Sequence, residues 1–323
     1  MTTRARFLGT AAAASAAFGI PAIVRAQARK PLGIGYVPST LFAPVFVAYE
    51  KGYLRDAGFD ATLTPIVAGQ DAMALAAQGQ LDVVAAAMSA AFFNAVSHGL
   101  NVKFVASTAY QPHKGAPSAL LVRQDLYDGG LRDVAALKGK KIGWIGGAGA
   151  ASAYYVGRIL RTANLHLSDI DAQNIANPDM QLALERKAVD AVFTGAPFTL
   201  LLEDKHDAKQ LATVTPGISA SGVFFGPTLL GDPAHAKAVL DALRRAARDI
   251  AGNGYYDAAN MDTYVKYTRL AADVVKSSPR YDIFGDLRVD GATVEDMQRE
   301  FIADGVLTYK DPLPEAKLVA RFS

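Results

Sequence analysis

The sequence contains no cysteine and a single tryptophan in 323 residues. The first absence removes disulfides, thiol nucleophiles, thiolate metal sites and iron–sulfur clusters together, and with them lipid attachment at an N-terminal cysteine. Histidine is scarce too: His98, His113, His166, His206 and His235 are scattered without metal-ligand spacing and read as surface or cap residues. No HExxH, GxSxG, SxxK or GxxxxGK[ST] pattern occurs, and Gly217-Ile218-Ser219-Ala220-Ser221-Gly222 fails as a nucleophile elbow at its fifth position. The sequence therefore carries no catalytic residues, metal site or cofactor that a motif would reveal. A catalytic set assembled in space stays open, because such sets are not sequential.

Excess charge of one sign is also missing. Of 33 basic side chains, Arg4, Arg6 and Arg25 fall in residues 1–28, which contain no acid; the remainder balances 30 basic against 31 acidic. Such a surface offers no footprint for nucleic acid and suits a monomer. Hydrophobic residues make up 51% and charged ones 20%, enough to build a large core and to exclude a disordered chain.

Residues 1–28 have the three parts of an export signal: a positive start through Arg4 and Arg6, an apolar stretch Phe7 to Val24, and Ala26-Gln27-Ala28 for cleavage after about Ala28. Thr3-Arg4-Ala5-Arg6-Phe7-Leu8 is similar to a twin-arginine signal, with Ala5 where the second arginine would stand. The mature protein is expected in the periplasm.

Beyond residue 30, short apolar runs alternate with segments of helical period. Strands are expected at 32–37, 60–66, 81–86 and 102–108, with helices at 42–53, 70–78 and 89–97 between them. This βαβ rhythm predicts a mainly parallel sheet with helices on both faces. It breaks at Tyr110 to Pro117, restarts through strands at 119–123, 141–145, 172–175 and 189–194, and breaks again at Thr215 to Gly222. Helices follow at 233–251, 257–267 and 294–303. Two breaks around a complete α/β unit predict an inserted lobe: residues 29–110 and 222–323 form lobe I, and 111–221 form lobe II. An internal echo agrees, since Leu81-Asp82-Val83-Val84 and Val189-Asp190-Ala191-Val192 each follow a helical segment. Asp82 and Asp190 read as polar caps at strand entry.

The densest local signal is Gly146-Gly147-Ala148-Gly149-Ala150-Ala151-Ser152, between a strand and a helix. It admits three readings: a cradle for an anionic or acceptor group at a helix N-terminus, a tight turn, or a dinucleotide fingerprint ending in serine. Other loop positions on the same rim are Ser39, Thr40, Phe42, Gln70, Met88, Ser89 and Tyr110 from lobe I, with Trp144, Gly147, Gly149, Ser152, Tyr154, Pro197 and Phe198 from lobe II. These are the candidate ligand-binding residues, the aromatic ones for stacking on a planar solute.

Phe42-Ala43-Pro44-Val45-Phe46-Val47-Ala48-Tyr49-Glu50-Lys51-Gly52-Tyr53-Leu54 resembles the first helix of the NMT1/THI5-like solute-binding proteins. Ala76-Ala77-Gln78-Gly79-Gln80-Leu81-Asp82, Leu137-Lys138-Gly139-Lys140-Lys141-Ile142-Gly143 and Val189-Asp190-Ala191-Val192 are similar to further signatures of that family. The resemblance implies a type II periplasmic-binding fold, with two α/β lobes joined by two crossings and a ligand cleft between them. It implies a small-molecule solute, delivered to an ABC transporter permease in the inner membrane. The solute expected is planar, aromatic or an organic anion: a sulfonate, a carboxylate or a pyrimidine-like compound. Gly195-Ala196-Pro197 stands where many sulfonate- and nitrate-type relatives carry Trp-Glu-Pro, and the cysteine-rich segment of the yeast-type pyrimidine synthases is missing. Two other classes remain open, a periplasmic enzyme on this fold and a ligand-sensing subunit.

Overall fold

The computed structural model describes residues 28–66 and 69–322, with the side chains of residues 69–71 left out. The export signal expected over residues 1–28 falls, Ala28 apart, outside the described residues, as does the side chain of Gln70.

Two five-stranded sheets organise the chain. The first holds β1 (Lys30–Tyr36), β2 (Phe59–Pro65), β3 (Val83–Ala87), β4 (Lys103–Ala109) and β10 (Ser221–Phe225), in the order β2-β1-β3-β10-β4. The second holds β5 (Ser118–Arg123), β6 (Lys141–Trp144), β7 (Asp171–Asn174), β8 (Ala191–Gly195) and β9 (Ala208–Thr213), in the order β7-β6-β8-β5-β9. Helices α1 (Ala43–Glu50), α2 (Tyr53–Asp56), α3 (Gly69–Ala77) and α4 (Ala90–Ser97) belong to the first sheet. Helices α5 (Gln124–Asp128), α6 (Ala151–Arg161), α7 (Met180–Glu185) and α8 (Phe198–Asp204) belong to the second. The chain then runs through α9 (Pro227–Leu230), α10 (Pro233–Ile250), α11 (Ala258–Thr268), α12 (Ala272–Ser277), α13 (Gly291–Ala303) and α14 (Glu315–Leu318).

The expectation of mainly parallel sheets needs one correction. β10 runs antiparallel between β3 and β4, and β5 runs antiparallel between β8 and β9. These are the strands that receive the chain just after it crosses between lobes, so each enters its sheet from the opposite end. β9 and β10 went unread in the sequence, because Ala208–Thr213 mixes polar and apolar residues and Ser221–Phe225 is a short run directly after a break.

Local chemistry explains the framework. In β1, Leu32, Ile34 and Tyr36 alternate inward onto a core shared with α1 and α10. In α10, Ala236, Val239, Leu240, Leu243, Ala246, Ala247 and Ile250 recur at helical spacing and are buried. Asp232 caps that helix by accepting from the His235 N–H at 3.2 Å, and Pro233 occupies its first position. The two echoing aspartates play the same part in both lobes. The carboxylate of Asp82 accepts from the Gly33 N–H at 2.8 Å midway along β1, and that of Asp190 from the Lys141 N–H at 3.0 Å at the start of β6.

Three stretches meet where the chain passes between the sheets. Gln111 N–H donates to the Ile218 carbonyl at 2.9 Å and Gly217 N–H to the Gln111 carbonyl at 2.8 Å, tying the two crossings together. Tyr110 and Asp282 exchange backbone bonds of 2.8 and 3.0 Å, so a segment from the C-terminal region lies against the first crossing. The C-terminal region also spans the lobes elsewhere. α13 packs on α4 of the first lobe, where the rings of Phe93 and Phe301 lie 6.0 Å apart, and on α6 of the second. One apolar cluster accordingly runs through both lobes, from Phe92, Phe104 and Phe224 to Trp144, Tyr154 and Tyr155.

Candidate functional site

A cavity of about 350 Å³ lies between the lobes, at the ends of β1, β3 and β8. Lobe I contributes the turn after β1, with Ser39, Thr40 and Phe42, and the turn after β3, with Met88 and Ser89. Lobe II contributes Gly146 and Ser152 from the glycine-rich turn and α6, and Phe193, Pro197 and Phe198 from the end of β8 and the start of α8. Eight of the expected residues thus line one cavity: Ser39, Thr40, Phe42, Met88, Ser89, Ser152, Pro197 and Phe198.

Five others stand elsewhere. Trp144 is 1% exposed in the core, its indole N–H bonded to the Gly147 carbonyl at 3.0 Å. Gly147 and Gly149 shape the turn but do not face the cavity. Gly146 and Gly147 have φ of +92° and +68°, which glycine adopts without the Cβ penalty, and the Gly146 N–H is taken by the Asn174 side chain at 2.9 Å. The Gly149 carbonyl accepts from the Ala90 N–H at 2.8 Å, a direct backbone bond from lobe II to the first residue of α4 in lobe I. The turn is therefore bonded within its own lobe through Gly146 and across the lobes through Gly149. Tyr110 packs edge-on against Phe284 with ring centroids 4.9 Å apart, and its hydroxyl donates to the Arg288 carbonyl at 2.6 Å. Phe224 is likewise buried, between Phe92 and Phe104.

Tyr154 shows a simple misreading of helical geometry. It turns away from the cavity, and its hydroxyl donates to Asp296 of α13 at 2.7 Å. Tyr155 lines the cavity instead. Ser152 and Tyr155 are three apart on α6 and share a face, whereas positions two apart do not. That spacing was available in the sequence and picks the right tyrosine.

The residues missed entirely are Ser118, Asn177, Thr194 and, from the C-terminal region, Thr268, Leu270 and Tyr281. No local motif points to them. Tyr281 reaches the cavity because its segment lies along the crossings, and its hydroxyl sits 3.0 Å from Ser118 Oγ. Gly195 makes room for it: a Cβ at 195 would stand 2.8 Å from the Tyr281 hydroxyl.

The polar groups of the cavity are mostly engaged with one another. Ser118 Oγ also accepts from Gln111 Nε2 at 3.1 Å, Thr194 Oγ1 donates to Asn177 Oδ1 at 3.2 Å, and Ser39 Oγ accepts from the Leu41 N–H at 3.3 Å. The Tyr155 hydroxyl accepts from the Ala220 N–H at 3.0 Å. Burial pushes the Tyr155 hydroxyl up to about 12 and raises that of Tyr281 as well, so both stay neutral over the physiological range. The described lining holds no Lys, Arg, His, Asp or Glu. Among the described residues no group of three His, Asp or Glu side chains could hold a metal ion, and no helix is long and apolar enough to cross a membrane.

The fold is shared with solved structures. The alkanesulfonate-binding protein SsuA from Xanthomonas axonopodis pv. citri, bound to MOPS, superposes with a TM-score of 0.71 at 20% identity, over 92% of this chain and all of its own. The periplasmic aliphatic sulphonate binding protein SsuA from Escherichia coli gives 0.73 at 18% identity, over 91% and 93%. The periplasmic nitrate-binding protein NrtA from Synechocystis PCC 6803 gives 0.67 at 14% identity, over 87% and 83%. These likenesses establish two α/β lobes in the type II periplasmic-binding arrangement. No curated protein sequence matches the chain. The model of the family described as NMT1/THI5 like matches residues 39–254, two thirds of the sequence and both lobes, and the chain belongs to that family.

Proposed function

We propose that this protein is the periplasmic solute-binding component of an ABC uptake system, capturing a small organic solute by closure of its two lobes and passing it to an inner-membrane permease. One observation carries this reading: a single cavity lies between the strand ends of two sheets and draws its lining from both. Ligands of open α/β sheets bind at such ends. A binder fits better than an enzyme, since none of the five histidines and no carboxylate is among the described lining residues beside the serine hydroxyls.

Residues 29–110 and 222–323 are assigned to one moving body and 111–221 to the other, with the hinge at the crossings bonded through Gln111, Gly217 and Ile218. A ligand that touches both lobes binds the closed form preferentially and shifts the population towards it. Moving the equilibrium from mostly open to mostly closed takes a differential affinity of about 5 kcal/mol. The solute is small, with an apolar body and a hydrogen-bonding group; sulfonates, carboxylates and pyrimidine-like compounds frame the range to be screened. The export signal at residues 1–28 and a monomeric state complete the proposal.

The test combines a thermal-shift screen of solute classes with small-angle scattering of the protein with and without each hit. A bound solute raises the unfolding midpoint by mass action and contracts the particle. Recovery of a chemically altered solute, or binding with no change in shape, overturns the reading.

A further inference from the structure

We infer that the cleft selects an uncharged solute, an apolar body with a hydrogen-bond acceptor such as an amide or ketone carbonyl, in preference to a sulfonate, carboxylate or nitrate. This deepens the proposed solute-binding function and rests on it.

Three observations converge. The first is the absence of any Lys, Arg or His among the described lining residues, so nothing in the cavity carries the charge that would offset a buried anion. The second is that two backbone donors beside the cavity are already committed. The Ala90 N–H at the start of α4 is bonded to Gly149 of the other lobe, and the Gly146 N–H to Asn174. The Tyr281 and Ser118 hydroxyls are bonded to each other. The third is a buried hydroxyl without a partner. Ser89, 6% exposed and lining the cavity, has a buried hydroxyl with no partner in the protein, and it sits at the N-cap of α4 without making the capping bond. A buried hydroxyl left unpaired is costly, and a rotating O–H satisfies one acceptor. An acceptor on an apolar body would give that hydroxyl the partner it lacks. A sulfonate brings a full charge and three oxygens to the same place.

The cation nearest the lining in sequence is Arg269, between Thr268 and Leu270. It is exposed, outside the cavity lining, and its charge acts on Tyr36. As the cation adjacent in sequence to two lining residues, it serves as the control.

The experiment is titration calorimetry on the purified protein with sets of probes that share a skeleton: benzamide, benzoate and benzenesulfonate; nicotinamide and nicotinate; taurine and nitrate as small anions. The neutral member of each set that binds is expected to do so at least about tenfold more tightly than its anionic counterparts, with an affinity insensitive to added salt. Ser89→Ala is expected to weaken the neutral probe about fivefold to tenfold, and Ser89→Thr, which keeps the hydroxyl, to retain most of the affinity. Circular dichroism establishes that both variants fold. Tighter binding of an anionic probe, with salt sensitivity that disappears in Arg269→Gln, overturns the inference and leaves the solute-binding function standing. If no probe of either charge binds, the underlying function fails and the inference with it.

Discussion

The two faces of α6 have opposite chemistry. Ser152 and Tyr155 look into the cavity, where the described lining is uncharged. Tyr154, Arg158 and Arg161, spaced by four and then three, look onto α13, where Arg158 pairs with Asp296 and Arg161 with Glu300. The same helix therefore lines the cleft with neutral groups and ties its lobe to the C-terminal region with charged ones. Charges cost little where solvent still reaches them, and these side chains are about a third exposed or less. In the cavity a charge without a partner would have to be desolvated. The fold has put its ion pairs on the face where they fasten and kept them off the face that lines the cavity.

The largest effect should come from crowding the cleft. Gly195→Leu places a side chain against the Tyr281 hydroxyl and is expected to reduce solute affinity about 100-fold or more, read by calorimetry, with the protein still folded. Next comes the bond that joins the cleft face to the second crossing. Tyr155→Phe strands the buried Ala220 N–H and should lower stability by about 1–3 kcal/mol in urea unfolding.

The seam on the other face should respond less. Asp296→Asn weakens the bonds to Tyr154 and Arg158 and is expected to cost about 1 kcal/mol, with a coupling to Arg158→Ala visible in a double-mutant cycle. Glu300 is the mildest case. Burial raises its carboxyl above the ordinary 4.5, outweighing the opposing pull of Arg161. The folded protein therefore holds this proton more tightly than the unfolded chain, and the associated stability is lost as pH rises from the ordinary value through the raised one. Glu300→Gln should flatten that part of the stability–pH curve and change stability at neutral pH by no more than about 0.5 kcal/mol. A larger loss than at Asp296 would show that the seam depends on the Glu300 charge.

Most of the framework was legible because it is written in local periodicity. Alternation in β1, helical spacing in α10 and the paired aspartates at strand entry each involve neighbours within one or two elements. The loops at Ser39–Phe42, Met88–Ser89 and Pro197–Phe198 could be placed on the rim because they follow strands of a recognisable α/β rhythm. Trp144 and Tyr110 misled for the opposite reason: an aromatic side chain near a rim can turn inward, and only packing decides which way it goes.

What the amino-acid order settled by itself was the alternation of strands and helices, the two breaks that divide it, and the lack of cysteine and of local catalytic motifs, since all three depend on residue type and short-range spacing. The tertiary structure alone decided that Thr268, Leu270 and Tyr281 join a cavity begun by Ser39, that α13 spans both lobes, and that Gly149 of the glycine turn binds Ala90 while Gly146 lines the cavity. Those outcomes rest on contacts between segments tens to hundreds of residues apart, whose meeting is set by how two sheets and a returning C-terminal chain fill the same space.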